Sequence, residues 1–166
     1  MVRAHRSMAW LVATTAGSVV GLVAVYAAAP MSGRSKAWGV VVGLGAMTAV
    51  IPVLVRRIRA VLKSDKPVAE AISALIMTST LIVVGSASAY FSLASSRPGQ
   101  FRGLETKLDA LYFAVVVMST VGFGDIAPVG QAARLLATLH IVVTVSFLGG
   151  AVRLLTWAAR QRLDGD

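Results

Sequence analysis

The chain has 166 residues, a formal net charge of +9 and a mean hydropathy of +0.78, with 57% hydrophobic and only 14% charged residues, a balance that excludes a soluble domain and places it in a membrane. It has no cysteine, which excludes a disulfide framework, a thiolate metal site and a catalytic thiol. The basic residues fall in short clusters between apolar runs, as membrane topology requires, and not in the broad patch of a nucleic-acid binder.

A bilayer core needs roughly 20 apolar helical residues, and four segments meet that length. The first runs from about Met8 to Ala29, with Arg3 and Arg6 before it and Pro30 after it. Ala27-Ala28-Ala29 raises a signal-peptide reading. The apolar run of 22 residues, however, exceeds the roughly 7–15 of a signal core, so the helix is taken as retained. The second segment covers Ala37 to Val55 and stops at Arg56-Arg57-Ile58-Arg59. Arg56 to Lys66 then reads as an interfacial amphipathic linker, with Arg56, Arg57, Arg59 and Lys63 toward anionic lipid headgroups. A voltage sensor is disfavoured, because it spaces arginines at every third position through an apolar span and these bunch at one end.

The third segment covers Val68 to Leu93 and the fourth Gln131 to Ala159. Between them lie a polar stretch, Ala94 to Lys107, and a short apolar helix from Leu108 to Ser119. About 12 residues cannot span a bilayer, and suit a re-entrant helix. With both termini cytoplasmic, the inner side collects ten of the sixteen basic residues, Arg56, Arg57, Arg59, Lys63 and Lys66 among them. The loop after the short helix then faces outward.

That loop reads Thr120-Val121-Gly122-Phe123-Gly124-Asp125, and Gly122 and Gly124 can take the left-handed dihedrals that an inward-facing row of carbonyls needs. From Asp109 to Pro128 the chain resembles the pore of tetrameric potassium channels, whose filters commonly read Thr-Val-Gly-Tyr-Gly-Asp. With its flanking helices the resemblance covers roughly residues 70–160. It implies that the carbonyls of Thr120, Val121, Gly122 and Phe123, with the Thr120 hydroxyl, coordinate dehydrated K⁺. It also implies a homotetramer, since one chain supplies one filter strand. Gly124 completes the strand, and Asp125 sits just outside it, bonded back toward the short helix.

Departures from the family pattern sharpen this reading. Tyr112 and Phe113 stand where many members carry two tryptophans, and Phe123 replaces the filter tyrosine. One bracing hydrogen bond is thus lost with both its partners, and Tyr112 retains a hydroxyl that can reach Asp125. The filter is expected to be held by fewer bonds and to inactivate more readily. Ser119 keeps a hydroxyl where threonine is usual, and Val115, Val116 and Val117 read as packing against the filter. Thr144 occupies the position, nineteen residues beyond Asp125, where many relatives have a hinge glycine. Gly149-Gly150 offers either a lower hinge or a close approach of four helices. Val145, Leu148 and Val152 are expected to face the inner cavity and to gate by dewetting. His140 reads as bonded to a neighbouring helix or as a pH sensor, and Glu70 as a partner for Arg153 or Arg160.

The expected molecule is an all-α membrane protein of the plasma membrane, with four transmembrane helices plus the re-entrant helix and filter loop. Residues 1–66 would hold two N-terminal helices and a basic cytoplasmic linker, and 67–166 the pore domain. It would conduct K⁺ passively, with no cofactor and no enzymatic site. The alternatives are a less selective cation channel and a non-conducting tetraspan protein that binds partners.

Overall fold

A computed structural model describes residues 8–29 and 67–163, with isolated positions at 45, 52 and 56. Apart from positions 45 and 52, the second apolar segment lies outside the described residues, as do the linker cations Arg57, Arg59 and Lys63. The described chain folds as α1 (Met8–Ala28), α2 (Pro67–Ser96), β1 (Phe101–Arg102), α3 (Lys107–Met118), β2 (Ala127–Pro128) and α4 (Gln131–Leu163).

Apolar runs free of proline and charge, 8–28 in α1, 71–96 in α2 and 135–152 in α4, make the long helices, and the bounds match the apolar segments of the sequence to within a few residues. Among the described residues two stretches, Val68–Ser96 and Gln131–Trp157, are long and apolar enough to cross a membrane, and Val12–Ala28 is a shorter apolar helix. At 33 residues α4 is about 50 Å long, so it outruns a hydrocarbon core of about 30 Å. The 12-residue α3 is less than half of that.

Helix α2 is central, and packs against α1, α3 and α4. Its sequence explains why. Ala71, Ala74, Ser86, Ala87, Ser88 and Ala89 are buried, and small side chains let neighbouring helices come close. Larger residues fill three layers along the bundle. Tyr26, Tyr90, Phe113, Leu104, Ile126 and Leu136 share the main core at the end that carries α3. Ile82 and Phe147 pack in a second cluster, and Ala71 and Leu154 in a third.

The polar stretch between α2 and α3 folds over the segment that follows the glycine loop. Phe101 pairs with Pro128 and Arg102 with Ala127 in a two-stranded antiparallel ladder. The Gln100 carbonyl accepts from the N–H groups of Val129 (2.9 Å) and Gly130 (3.0 Å), and its side-chain oxygen accepts from the N–H of Ala133 in the first turn of α4. A β-carbon on Gly130 would collide with the Gln100 side-chain amide, which would have to swing aside and give up its bond to Ala133.

Candidate functional site

The short helix α3 is held at both ends. At its start Thr106 and Asp109 form a capping box. Asp109 Oδ2 accepts from the N–H groups of Thr106 (2.7 Å) and Glu105 (3.0 Å), while Asp109 N–H donates to Thr106 Oγ1 at 3.1 Å. The Thr106 N–H, then the Glu105 N–H, hold the Asp109 carboxyl below the usual carboxylate range. Thr-x-x-Asp ahead of an apolar run is a helix-start signal that sequence reading passed over.

At its end the chain turns through Thr120, whose φ of 59° is the one positive value at a non-glycine position among the described residues. The Thr120 N–H donates to the Val117 carbonyl (3.1 Å) and the Val121 N–H to the Val116 carbonyl (3.3 Å). With a left-handed residue after the cap, these bonds form a Schellman motif, in which glycine is the usual occupant. A β-branched residue there costs about 1–2 kcal/mol, a strain that tends to mark functional sites. Ser119 adds the Val115 carbonyl through its N–H (2.8 Å) and a second bond to the Val116 carbonyl through its hydroxyl (3.1 Å). The carbonyl end of α3, the negative end of its dipole, therefore points into the start of the loop.

Through the loop the sign of φ alternates. Thr120, Gly122 and Gly124 are positive at 59°, 63° and 79°, and Val121 and Phe123 between them are not. Alternation turns each peptide plane back on the last, so that successive carbonyls can face one side, whereas a strand of uniform sign sends them to opposite sides. All six residues from Thr120 to Asp125 are exposed in the single chain, Val121 at 55% and Phe123 at 69%.

Two side chains hold the far end of the loop. Tyr112 donates its hydroxyl to Asp125 Oδ2 at 2.7 Å, the bond its sequence position suggested. This bond holds the Asp125 carboxyl below its ordinary range. Arg102 donates from its guanidinium to the Gly124 carbonyl at 3.3 Å. Gly103, at a φ of 76°, lies so close that a β-carbon would sit 3.0 Å from the Asp125 carbonyl. Sequence reading missed Arg102, because the strand that presents it is only two residues long.

The other expected site residues fall on both sides of α3 and α4. Phe113 is buried with its ring against Tyr90 and Phe101, at centroid distances of 4.9 and 6.0 Å, so it braces α3 against α2 and β1 within one chain. Val116 is buried, Val117 packs on the main core and Val115 is half-exposed. His140 is fully buried, with Nδ1 2.9 Å from the Tyr90 hydroxyl, as expected of a histidine bonded to a neighbouring helix. Thr144 is also buried, 3.5 Å from Met118 Sδ, and α4 continues through it and through Gly149-Gly150 without a break. Among the described residues, no neighbour lies within 4 Å of a β-carbon at either glycine. Val145, Leu148 and Val152 are exposed, away from α2. Among the described residues Glu70 pairs with neither Arg153 nor Arg160.

Two long apolar helices flanking a short helix and a glycine loop define a membrane pore protein. The chain matches the ion channel family over residues 76–161, more than half its length, from mid-α2 through the loop to the last turns of α4. It belongs to that family, whose members move ions and are not enzymes. Among similar proteins, a two pore potassium channel b of Oryza sativa subsp. japonica is 52% identical over 42 residues, 25% of this chain and 12% of that protein. Two-pore potassium channel 5 of Arabidopsis thaliana is 37% identical over 59 residues, 34% of this chain and 14% of that protein. The voltage-gated potassium channel Kch of Escherichia coli K12 is 44% identical over 41 residues, 25% of this chain and 10% of that protein. The chain thus matches only a small part of each relative. No solved structure matches it significantly.

Proposed function

We propose that this chain forms a potassium-selective channel that conducts K⁺ passively through a filter built from Thr120 to Gly124. The observation that carries the reading is the alternation of φ at 59°, 63° and 79° on Thr120, Gly122 and Gly124, starting at a capped helix C-terminus. A cation leaving water needs oxygen ligands that replace its hydration shell. The carbonyls of Thr120, Val121, Gly122 and Phe123, with the Thr120 hydroxyl, supply that succession of ligands. The negative end of the α3 dipole favours the cation just inside them.

One chain supplies one wall of such a pore, so four copies surround the axis in a homotetramer. Exposed Val121 and Phe123 support this, since the loop leaves them uncovered in one copy. The chain contributes four transmembrane helices, the first two and their linker forming residues 1–66 and the pore 67–166. The basic residues of the linker favour cytoplasmic ends for the chain, and the proposed membrane is the plasma membrane. Arg56, Arg57, Arg59 and Lys63 contact anionic lipid. The names of similar proteins, all potassium channels, favour K⁺ over a less selective cation pathway.

Reconstitution into liposomes with opposed K⁺ and Na⁺ gradients tests the reading. The wild type should pass K⁺ and exclude Na⁺. Gly122→Ala, which puts a β-carbon at a φ of 63°, should abolish selective flux while leaving the assembly intact. Absence of K⁺-selective flux in the wild type at every pH and voltage would sink the proposal.

A further inference from the structure

Helix α1 ends with no basic residue of its own in its last turn, which leaves its final carbonyls to find other donors. They find Lys107, 78 to 81 positions away, whose ammonium donates to the carbonyls of Ala29 at 2.6 Å and Ala27 at 2.9 Å, with Tyr26 at 3.5 Å. The contact runs in both directions. Tyr26, only 4% exposed in the main core, donates its hydroxyl to the Lys107 carbonyl at 2.7 Å.

Lys107 is the first residue of α3, and a cation at a helix N-terminus opposes the helix dipole. Its placement makes no sense for α3 alone, but it is well placed for α1, whose C-terminal end is negative. The same first turn carries the Thr106–Asp109 box, and the opposite end of α3, eleven residues on, leads straight into Ser119 and Thr120. A 12-residue helix is a rigid rod about 18 Å long, so fixing its outer end fixes the direction in which its inner end presents the loop.

We infer that Tyr26 and Lys107 are positioning residues for the filter, and that through them α1 is part of the pore machinery and not an accessory anchor. This deepens the conduction reading and rests on it for its functional consequence. Without the clasp the outer end of α3 tilts more freely, and the loop at its other end leaves the conducting arrangement sooner.

The test uses the full chain in planar bilayers, with Lys107→Met, Tyr26→Phe, the double variant and Lys107→Arg. Lys107→Met should shorten the open period before inactivation about tenfold, the size expected when a charge-assisted hydrogen bond is lost. Unitary current and the K⁺/Na⁺ permeability ratio should not change. The double variant should be no worse than the more severe single one, because both remove the same clasp. Lys107→Arg, which keeps a cation for the α1 carbonyls, should restore most of the open period. A merely structural clasp would lower the yield of folded tetramer and leave the inactivation rate alone.

Hydrogen exchange supplies a readout independent of conduction. Amides 107–111 should exchange faster in Lys107→Met and Tyr26→Phe, while amides 131–137 of α4 keep their wild-type rates. Wild-type inactivation together with wild-type exchange in both single variants overturns the inference, as does strict additivity in the double. A wild type that carries no K⁺ overturns the conduction reading instead, and the exchange rates then decide whether Tyr26 and Lys107 position α3.

Discussion

The Tyr112 hydroxyl holds Asp125 at 2.7 Å at the outer end of the loop, while Phe123 next to it has no polar group to offer. Removing that hydroxyl should therefore weaken the loop without touching a K⁺ ligand. Tyr112→Phe is expected to speed inactivation several-fold, as loss of one hydrogen bond to a charged group implies, with selectivity kept. Recovery-from-inactivation protocols on the two proteins read this directly, and unchanged kinetics would remove Tyr112 as a brace. The carboxylate gives the bond a pH dependence of defined sign. Because the Tyr112 hydroxyl lowers the Asp125 pKa in the folded protein, its contribution is complete above the unfolded value of about 3.9 and is lost as pH falls through the lower folded value. Wild-type inactivation should thus stay constant from neutral pH down to about 4 and accelerate only below it. In Tyr112→Phe, where the bond is already gone, that acid limb should shrink.

Helix α3 is too short to be stable on propensity alone, since isolated helices under about 12–15 residues are marginal in water. Its two caps supply what length does not. Thr106→Ala removes one half of the capping box and should destabilise the helix by about 1 kcal/mol, seen as faster amide exchange over its first turn. Asp109 is held below its ordinary pKa by the N–H groups of Thr106 and Glu105, so the box is intact above the unfolded pKa and weakens as pH drops through the folded one. The span of α3 was legible in the sequence because a 12-residue apolar run between polar stretches has one length and one place. So were the two long flanking helices, whose apolar runs end at polar or basic residues. The box was legible too, as Thr106 and Asp109 three apart, and was overlooked beside the glycine motif. The direction of Phe113 was not legible. A residue in a uniformly apolar helix carries no periodic signal, and the ring's turn toward Tyr90 depends on where α2 packs. The bond between Lys107 and the end of α1 was equally hidden, since no local pattern couples positions about eighty apart.

At the scale of the whole molecule, α4 shows how one apolar helix serves three surroundings. Leu136, His140, Thr144, Phe147 and Leu154 form its buried stripe against α2. Val145, Leu148 and Val152 form a second stripe about a third of a turn around, exposed in one copy. Leu135 is exposed on the far side of the buried stripe, a flank that the proposed tetramer would leave to lipid. Four copies around an axis would turn the second stripe inward, where a narrow apolar ring resists wetting and so resists ion passage. The two exposed leucines therefore separate the pore side from the lipid side by experiment. Leu148→Asn should wet the cavity and raise the resting open probability, with the filter's K⁺/Na⁺ ratio unaltered. Leu135→Asn should leave open probability at its wild-type value and lower the yield of inserted protein, because an unpaired amide then faces hydrocarbon. Single-channel recording beside the measured membrane yield reads both effects. If the two substitutions change open probability alike, α4 has no distinct cavity face, and an inner-helix gate built on Val145, Leu148 and Val152 fails with it.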